Sequence, residues 1–92
     1  MMTAPEEIER FRERCRTLCE RFLLIGHGMA HYRFLEHLPQ YFVDCHYGTD
    51  HAFLPLGQDP KRAQDIFDLL IRGEVTPCTM ADVIHDLQED FC

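Results

Sequence analysis

Apolar residues recur at intervals of three and four positions through the first third of the chain. The series is Ile8, Phe11, Cys15, Leu18, Phe22, Ile25, Met29 and Tyr32. This spacing is typical of a single apolar stripe along a helix. It predicts a long amphipathic N-terminal helix that begins at Thr3. We expect a break at Gly26-His27-Gly28, because each glycine costs a helix interior about 1 kcal/mol relative to alanine.

Two shorter helices are predicted in the second half of the chain. Asp59-Pro60 supplies an N-cap and a proline at the first helical position, and Gly73 marks the end of that helix. The last helix begins at Thr76-Pro77 or at Thr79. The expected buried faces are Ala63, Ile66, Phe67 and Leu70 in the first of these helices, and Met80, Val83, Ile84, Leu87 and Phe91 in the second.

Residues 40–56 fit two structures. A short helix could follow Pro39 and end before Gly48, or the alternation of apolar and polar residues from Tyr41 to Tyr47 could form one strand of a β-hairpin at 41–56. We favour the helix, because an isolated two-stranded hairpin is only marginally stable in water. The expected fold is therefore all-α: a small bundle of four to five helices with a long N-terminal helix, in a single domain spanning residues 1–92.

Composition and charge narrow the classes of partner. The net charge is −7, and residues 44–92 carry ten acidic residues against Lys61, Arg62 and Arg72. A nucleic-acid partner is not expected, because a basic footprint is absent, whereas an acidic domain is attracted to a basic protein surface. The longest apolar run, residues 22–25, is too short for a membrane span. No export signal is recognisable, so we expect a cytoplasmic protein whose five cysteines are free thiols.

Two groups of residues suggest chemistry. The pairs Cys15/Cys19 and His27/His31 have the spacing of ligands on one helical face, but twelve residues of straight helix separate the pairs by about 18 Å. We therefore expect no metal ion and no cofactor there. The run Asp44-Cys45-His46 suggests an activated thiol, but adjacent side chains usually point apart. Since no oxyanion-hole or phosphate-binding motif accompanies it, we do not expect an enzyme.

The predicted helices carry more apolar surface than a chain of this length can cover by itself, which indicates a protein partner. We expect a homodimer with a seam of Ile8, Phe11, Leu18 and Phe22. The expected partner-binding residues are the aromatic side chains Tyr32, Tyr41, Phe42, Tyr47 and Phe53.

The expected function is that of a small interaction regulator, an anti-activator that binds and inhibits or sequesters a larger protein such as a transcription factor. The alternative is a metal-binding or redox-sensing protein that uses Cys15, Cys19 and the histidines between His27 and His51.

Overall fold

Four antiparallel strands form one sheet, and two helices cover one of its faces. The structure is a computed structural model that describes residues 14–90, apart from the side chains of residues 89 and 90. The strands lie side by side in chain order, and the helices follow them. The elements are β1 (Arg16–Ile25), β2 (Gly28–His37), β3 (Gln40–Tyr47), β4 (Asp50–Gly57), α1 (Pro60–Arg72) and α2 (Pro77–Asp90). We call the face that carries the helices the proximal face, and the opposite face the distal face.

Two-residue turns join the strands and set their register. Gly26 and Gly48 begin the first and third turns with φ angles of 60° and 61°. Glycine at the first central position is what a type II′ hairpin turn requires, and this turn matches the twist of the strands it joins. The pairs nearest these turns are Ile25 with Gly28 and Tyr47 with Asp50.

The hydrophobic core lies between the proximal face and the two helices. Because side chains alternate between the faces of a strand, every second residue of β2 and β3 points into this core. The buried residues are Ala30, Tyr32, Phe34, Tyr41, Val43, Cys45, Leu56, Ala63, Ile66, Phe67, Leu70, Met80 and Ile84. Val83 and Leu87, from the predicted stripe of the last helix, pack against them, whereas Phe91 lies outside the described residues.

The predictions for α1 and for the start of α2 are confirmed. The Asp59 carboxylate accepts hydrogen bonds from the backbone N–H groups of Lys61 and Arg62, at 3.1 and 3.4 Å. Pro60 is the first helical residue, and the four predicted apolar residues of α1 are all buried. Gly73 caps the C-terminal end of α1, and α2 begins at Pro77. Neither helix within residues 14–90 combines the length and the apolar character that crossing a membrane demands.

The prediction of an all-α bundle with a long N-terminal helix is wrong, because residues 16–37 form the β1–β2 hairpin. The residues Gly26 and His27, interpreted as a helix break, are instead the turn of this hairpin. Charged side chains of this hairpin pair across the two strands: Arg16 contacts Glu36 at 3.0 Å, and Glu20 contacts His31 at 2.7 Å. The predicted helix start at Thr3 lies outside the described residues.

The short helix favoured between Pro39 and Gly48 is also wrong, and the hairpin at 41–56 is what forms, as β3 and β4. The objection that an isolated hairpin is marginal does not apply, because β2 pairs along the other edge of β3. Three or more strands with one apolar face form a stable sheet. The apolar stripes of α1 and α2 pack against that face.

Candidate functional site

Polar side chains gather at the centre of the distal face. Asp44 and His46 are two residues apart on β3, so both side chains lie on this face. The strand register places Arg33 of β2 opposite Asp44, and His51 of β4 opposite His46. We call these four residues the Asp44 cluster. The cluster lies on three neighbouring strands that are joined by two-residue turns, and none of its residues lies in a loop.

Asp44 is the fully buried centre of this cluster. The Arg33 guanidinium donates to Asp44 Oδ2, from Nε at 3.1 Å and also from Nη2. The other oxygen, Oδ1, contacts Nε2 of His51, and Nε2 of His46 lies 3.7 Å from Oδ2. Burial by itself raises the pKa of Asp44, but the hydrogen bonds and charges of Arg33 and His51 outweigh burial, so the pKa is lowered below its usual value. The carboxylate is therefore ionised at neutral pH.

The two histidines of the cluster are stacked and partly exposed. The His46 and His51 rings have centroids 4.0 Å apart and are 9° from parallel. One ligand atom from each of Asp44, His46 and His51 lies within 4.8 Å of the other two. The three side chains form the one group of three or more potential metal ligands found among residues 14–90. Such an arrangement can bind a cation or exchange protons.

A second group lies beside the cluster, near the edge of the sheet. Nε2 of His31 and Oε2 of Glu20 are 2.7 Å apart, joining β2 to β1. The His31 ring also stacks on Phe22, with centroids 4.3 Å apart and an angle of 2° between the planes. This contact connects the polar centre of the distal face to its apolar end.

The apolar end of the distal face is strongly exposed. Phe22, Leu24 and Met29 lie on it near the first turn, with exposed fractions of 64%, 66% and 54%. We call these three residues the hairpin patch. Leu24 and Met29 are directly opposite each other, so the patch is continuous across two strands. It lies beside the outer edge of β1, and β1 is an edge strand of the sheet that residues 14–90 form.

The predicted partner-binding aromatics fall into two sets. Tyr32 and Tyr41 are buried in the core, so their side chains do not present a contact surface in this structure. Phe42 and Phe53 stack on the distal face, with centroids 5.0 Å apart, and the Tyr47 hydroxyl donates to the Ile25 carbonyl at 2.7 Å. For Phe42, Tyr47 and Phe53, which are partly exposed, partner binding stays a prediction.

Tyr32 has a structural role. Its hydroxyl donates to the Val75 carbonyl at 2.8 Å, joining the sheet to the segment between α1 and α2. Burial, followed by the charges of Cys45 and Glu74, raises the pKa of Tyr32 to about 12. The hydroxyl therefore remains a donor over the whole neutral range.

The predicted dimer seam is only partly described. Ile8 and Phe11 lie outside the described residues, whereas Leu18 and Phe22 are exposed on β1. The prediction that Leu18 and Phe22 lie on a helical dimer seam is wrong, because both residues belong to strand β1. Dimerisation itself stays a prediction.

The straight helix from which the separation of the cysteine and histidine pairs was predicted is wrong, and strands β1 and β2 place these residues in different surroundings. Cys19 packs against the core, His31 lies on the distal face, and His27 is in the first turn. Cys45 lies in the core, on the opposite face from its neighbours in sequence. Burial and the charge of Asp44 raise the pKa of Cys45 to about 11, so it is a poor nucleophile.

Sequence reasoning missed the partnership of His51 with His46 and of Arg33 with Asp44. The signal was the turn at Gly48-Thr49. A two-residue hairpin turn there places His46 opposite His51, and the turn at Leu38-Pro39 likewise places Arg33 opposite Asp44. These contacts required the strand interpretation of residues 40–56.

No model of a known protein family, no curated protein and no solved structure matches this chain. The function is therefore inferred from the residues and their geometry.

Proposed function

We propose that the protein is a small interaction regulator that binds another protein through the hairpin patch and the outer edge of β1. The observation that carries this proposal is the exposure of three large apolar side chains beside an edge strand. Contiguous exposed apolar residues on a small soluble domain typically mark a binding surface. The unpaired backbone groups of an edge strand offer a template for a further strand.

The second half of β1 is the part best suited to such pairing. Natural sheets protect their edges with charged residues and bulges. β1 has an irregularity between Thr17 and Cys19, followed by the charged residues Glu20 and Arg21. Residues 22–25 carry no such protection, since all four are apolar. An added strand would pair there, and its side chains would cover those of Phe22 and Leu24.

The partner expected from this surface is an extended apolar segment of a larger protein. The net charge of −7 favours a basic partner, as a DNA-binding transcriptional regulator would be. Binding would inhibit or sequester that partner. A second copy of the chain could use the same edge, so homodimerisation and partner binding would compete.

The test compares Leu24→Glu with Leu38→Glu in affinity capture from the source cells and in sedimentation over a range of concentrations. Leu38 is a matched control, because it is 68% exposed but lies in the β2–β3 turn, away from the patch. We expect the wild type and the control to capture the same protein, or to dimerise, and Leu24→Glu to do neither. Amide hydrogen exchange should show protection of residues 22–25 in the complex. Equal binding by both variants, or unchanged exchange at these residues, would contradict the proposal.

A further inference from the structure

We infer that Asp44, His46 and His51 bind a divalent transition-metal ion, with zinc as the expected occupant. The carboxylate and two imidazoles already converge, with their ligand atoms within 4.8 Å of one another. This inference is independent of the proposed protein-binding surface, which uses different residues on the same face.

The donor set selects the class of metal. Imidazole nitrogen and carboxylate oxygen together suit zinc and neighbouring first-row ions, whereas calcium and magnesium prefer ligand sets made of oxygen. Three protein ligands leave a fourth tetrahedral position for water or another ligand. The partial exposure of His46 and His51 gives an ion access from solvent.

The backbone supports the three ligands. His46 and His51 are paired directly across β3 and β4, next to a two-residue turn, and Asp44 lies two residues further along β3. Their Cα positions are therefore set by strand pairing. Sites built on regular elements hold their ligands more accurately than sites on loops.

The ligand atoms need only a limited rearrangement. Tetrahedral zinc with bonds of about 2.0–2.2 Å has ligand atoms about 3.3–3.6 Å apart. The separations of up to 4.8 Å in this cluster must therefore shorten. The parallel imidazole rings have to tilt so that both Nε2 atoms point to one position. Rotations about the side-chain bonds of the partly exposed histidines provide this movement without shifting the strands.

Arg33 occupies the place of a supporting residue. Its guanidinium holds Oδ2 of Asp44, while Oδ1 faces His51. A metal ion at Oδ1 would leave the Arg33 contact intact, and metal-ligating carboxylates are commonly oriented by a hydrogen bond of this kind. The positive charge of Arg33 opposes the cation, so we expect weaker binding than at an all-cysteine structural zinc site.

The experiment titrates the full-length, EDTA-treated and reduced protein with zinc chloride by calorimetry. The variants are His46→Gln and His51→Gln, with His27→Gln, an exposed histidine of the first turn, as the matched control. We expect one zinc ion per chain in the wild type and in the control, and about tenfold or greater loss of affinity in the two cluster variants. Circular dichroism verifies that each variant is folded.

Two measurements on the wild type keep the inference testable if a variant does not fold. Zinc should shift the ring NMR signals of His46 and His51 but not those of His27. Cobalt should bind without the intense near-ultraviolet absorption of a thiolate–cobalt bond. Equal zinc affinity in all the variants, shifts confined to other histidines, a thiolate band, or no stoichiometric binding would overturn the inference.

Discussion

Replacement of Asp44 by asparagine tests whether the buried carboxylate stabilises the sheet. The asparagine side chain has nearly the same shape but no charge, and it would leave the Arg33 guanidinium without its counter-ion. Breaking a buried ion pair from one side costs about 3–5 kcal/mol. Because the Arg33 side chain is 26% exposed, water screens part of its charge. We therefore expect a loss of about 2–3 kcal/mol in the free energy of unfolding.

Urea and thermal denaturation at pH 7, in the presence of EDTA, measure this loss. For a domain of this size, the expected decrease in Tm is about 10–20 °C. The control is Asp82→Asn, which changes an exposed carboxylate on α2 and should alter stability by no more than about 0.5 kcal/mol. An Asp44→Asn variant as stable as this control would refute the reasoning.

The pH dependence gives an independent test of the same carboxylate. Because the pKa of Asp44 is lowered in the folded state, its stabilising contribution is present above the unfolded pKa of about 3.9. This contribution is lost as the pH falls below about 4 and through the folded pKa. The difference in stability between the wild type and Asp44→Asn should therefore narrow under acidic conditions. A difference that stays constant down to about pH 2 would show that the charge is not what stabilises the fold.

Two further predictions concern buried groups of the core. Tyr32→Phe leaves the Val75 carbonyl without its donor and should lower the free energy of unfolding by about 1–2 kcal/mol in urea titrations. The loss should be larger than that for Tyr47→Phe, which lies at the partly exposed end of the sheet. Equal losses in the two variants would refute the role given to burial. Alkylation at pH 8, followed by peptide mass mapping, should show that the exposed Cys78 is modified and that Cys45 is spared, because burial raises the pKa of Cys45 to about 11. Comparable rates of alkylation at the two cysteines would contradict the assignment of Cys45 to the core.

The helices were predictable from sequence because their end signals are local. Asp59-Pro60 and Gly73 act through hydrogen bonds within a few residues, and the sheet did not alter them. Between Cys15 and Tyr32 the stripe misled, because spacings of three and four also occur when two strands are joined by a turn. In β1 and β2 the step from Phe22 to Ile25 crosses from the distal to the proximal face, which periodicity alone does not reveal.

The candidate site was less predictable than the two helices, because it depends on pairing between strands. Asp44 and His46 were visible as neighbours of Cys45, and the expectation that adjacent side chains point apart was correct. The contributions of Arg33 and His51 arise only once the register of β2, β3 and β4 is known. A shift of one residue in that register would move either partner to the opposite face.

The order of the strands has a consequence for how the chain folds. Each strand pairs with its neighbour in sequence through a turn of two residues, so closing each hairpin costs little loop entropy. Contacts of this kind have low contact order and form on the microsecond scale of isolated hairpins. The meander can therefore assemble stepwise as the polypeptide emerges. In such an order of events, the two helices, which follow all four strands in sequence, would dock onto a sheet that has already formed.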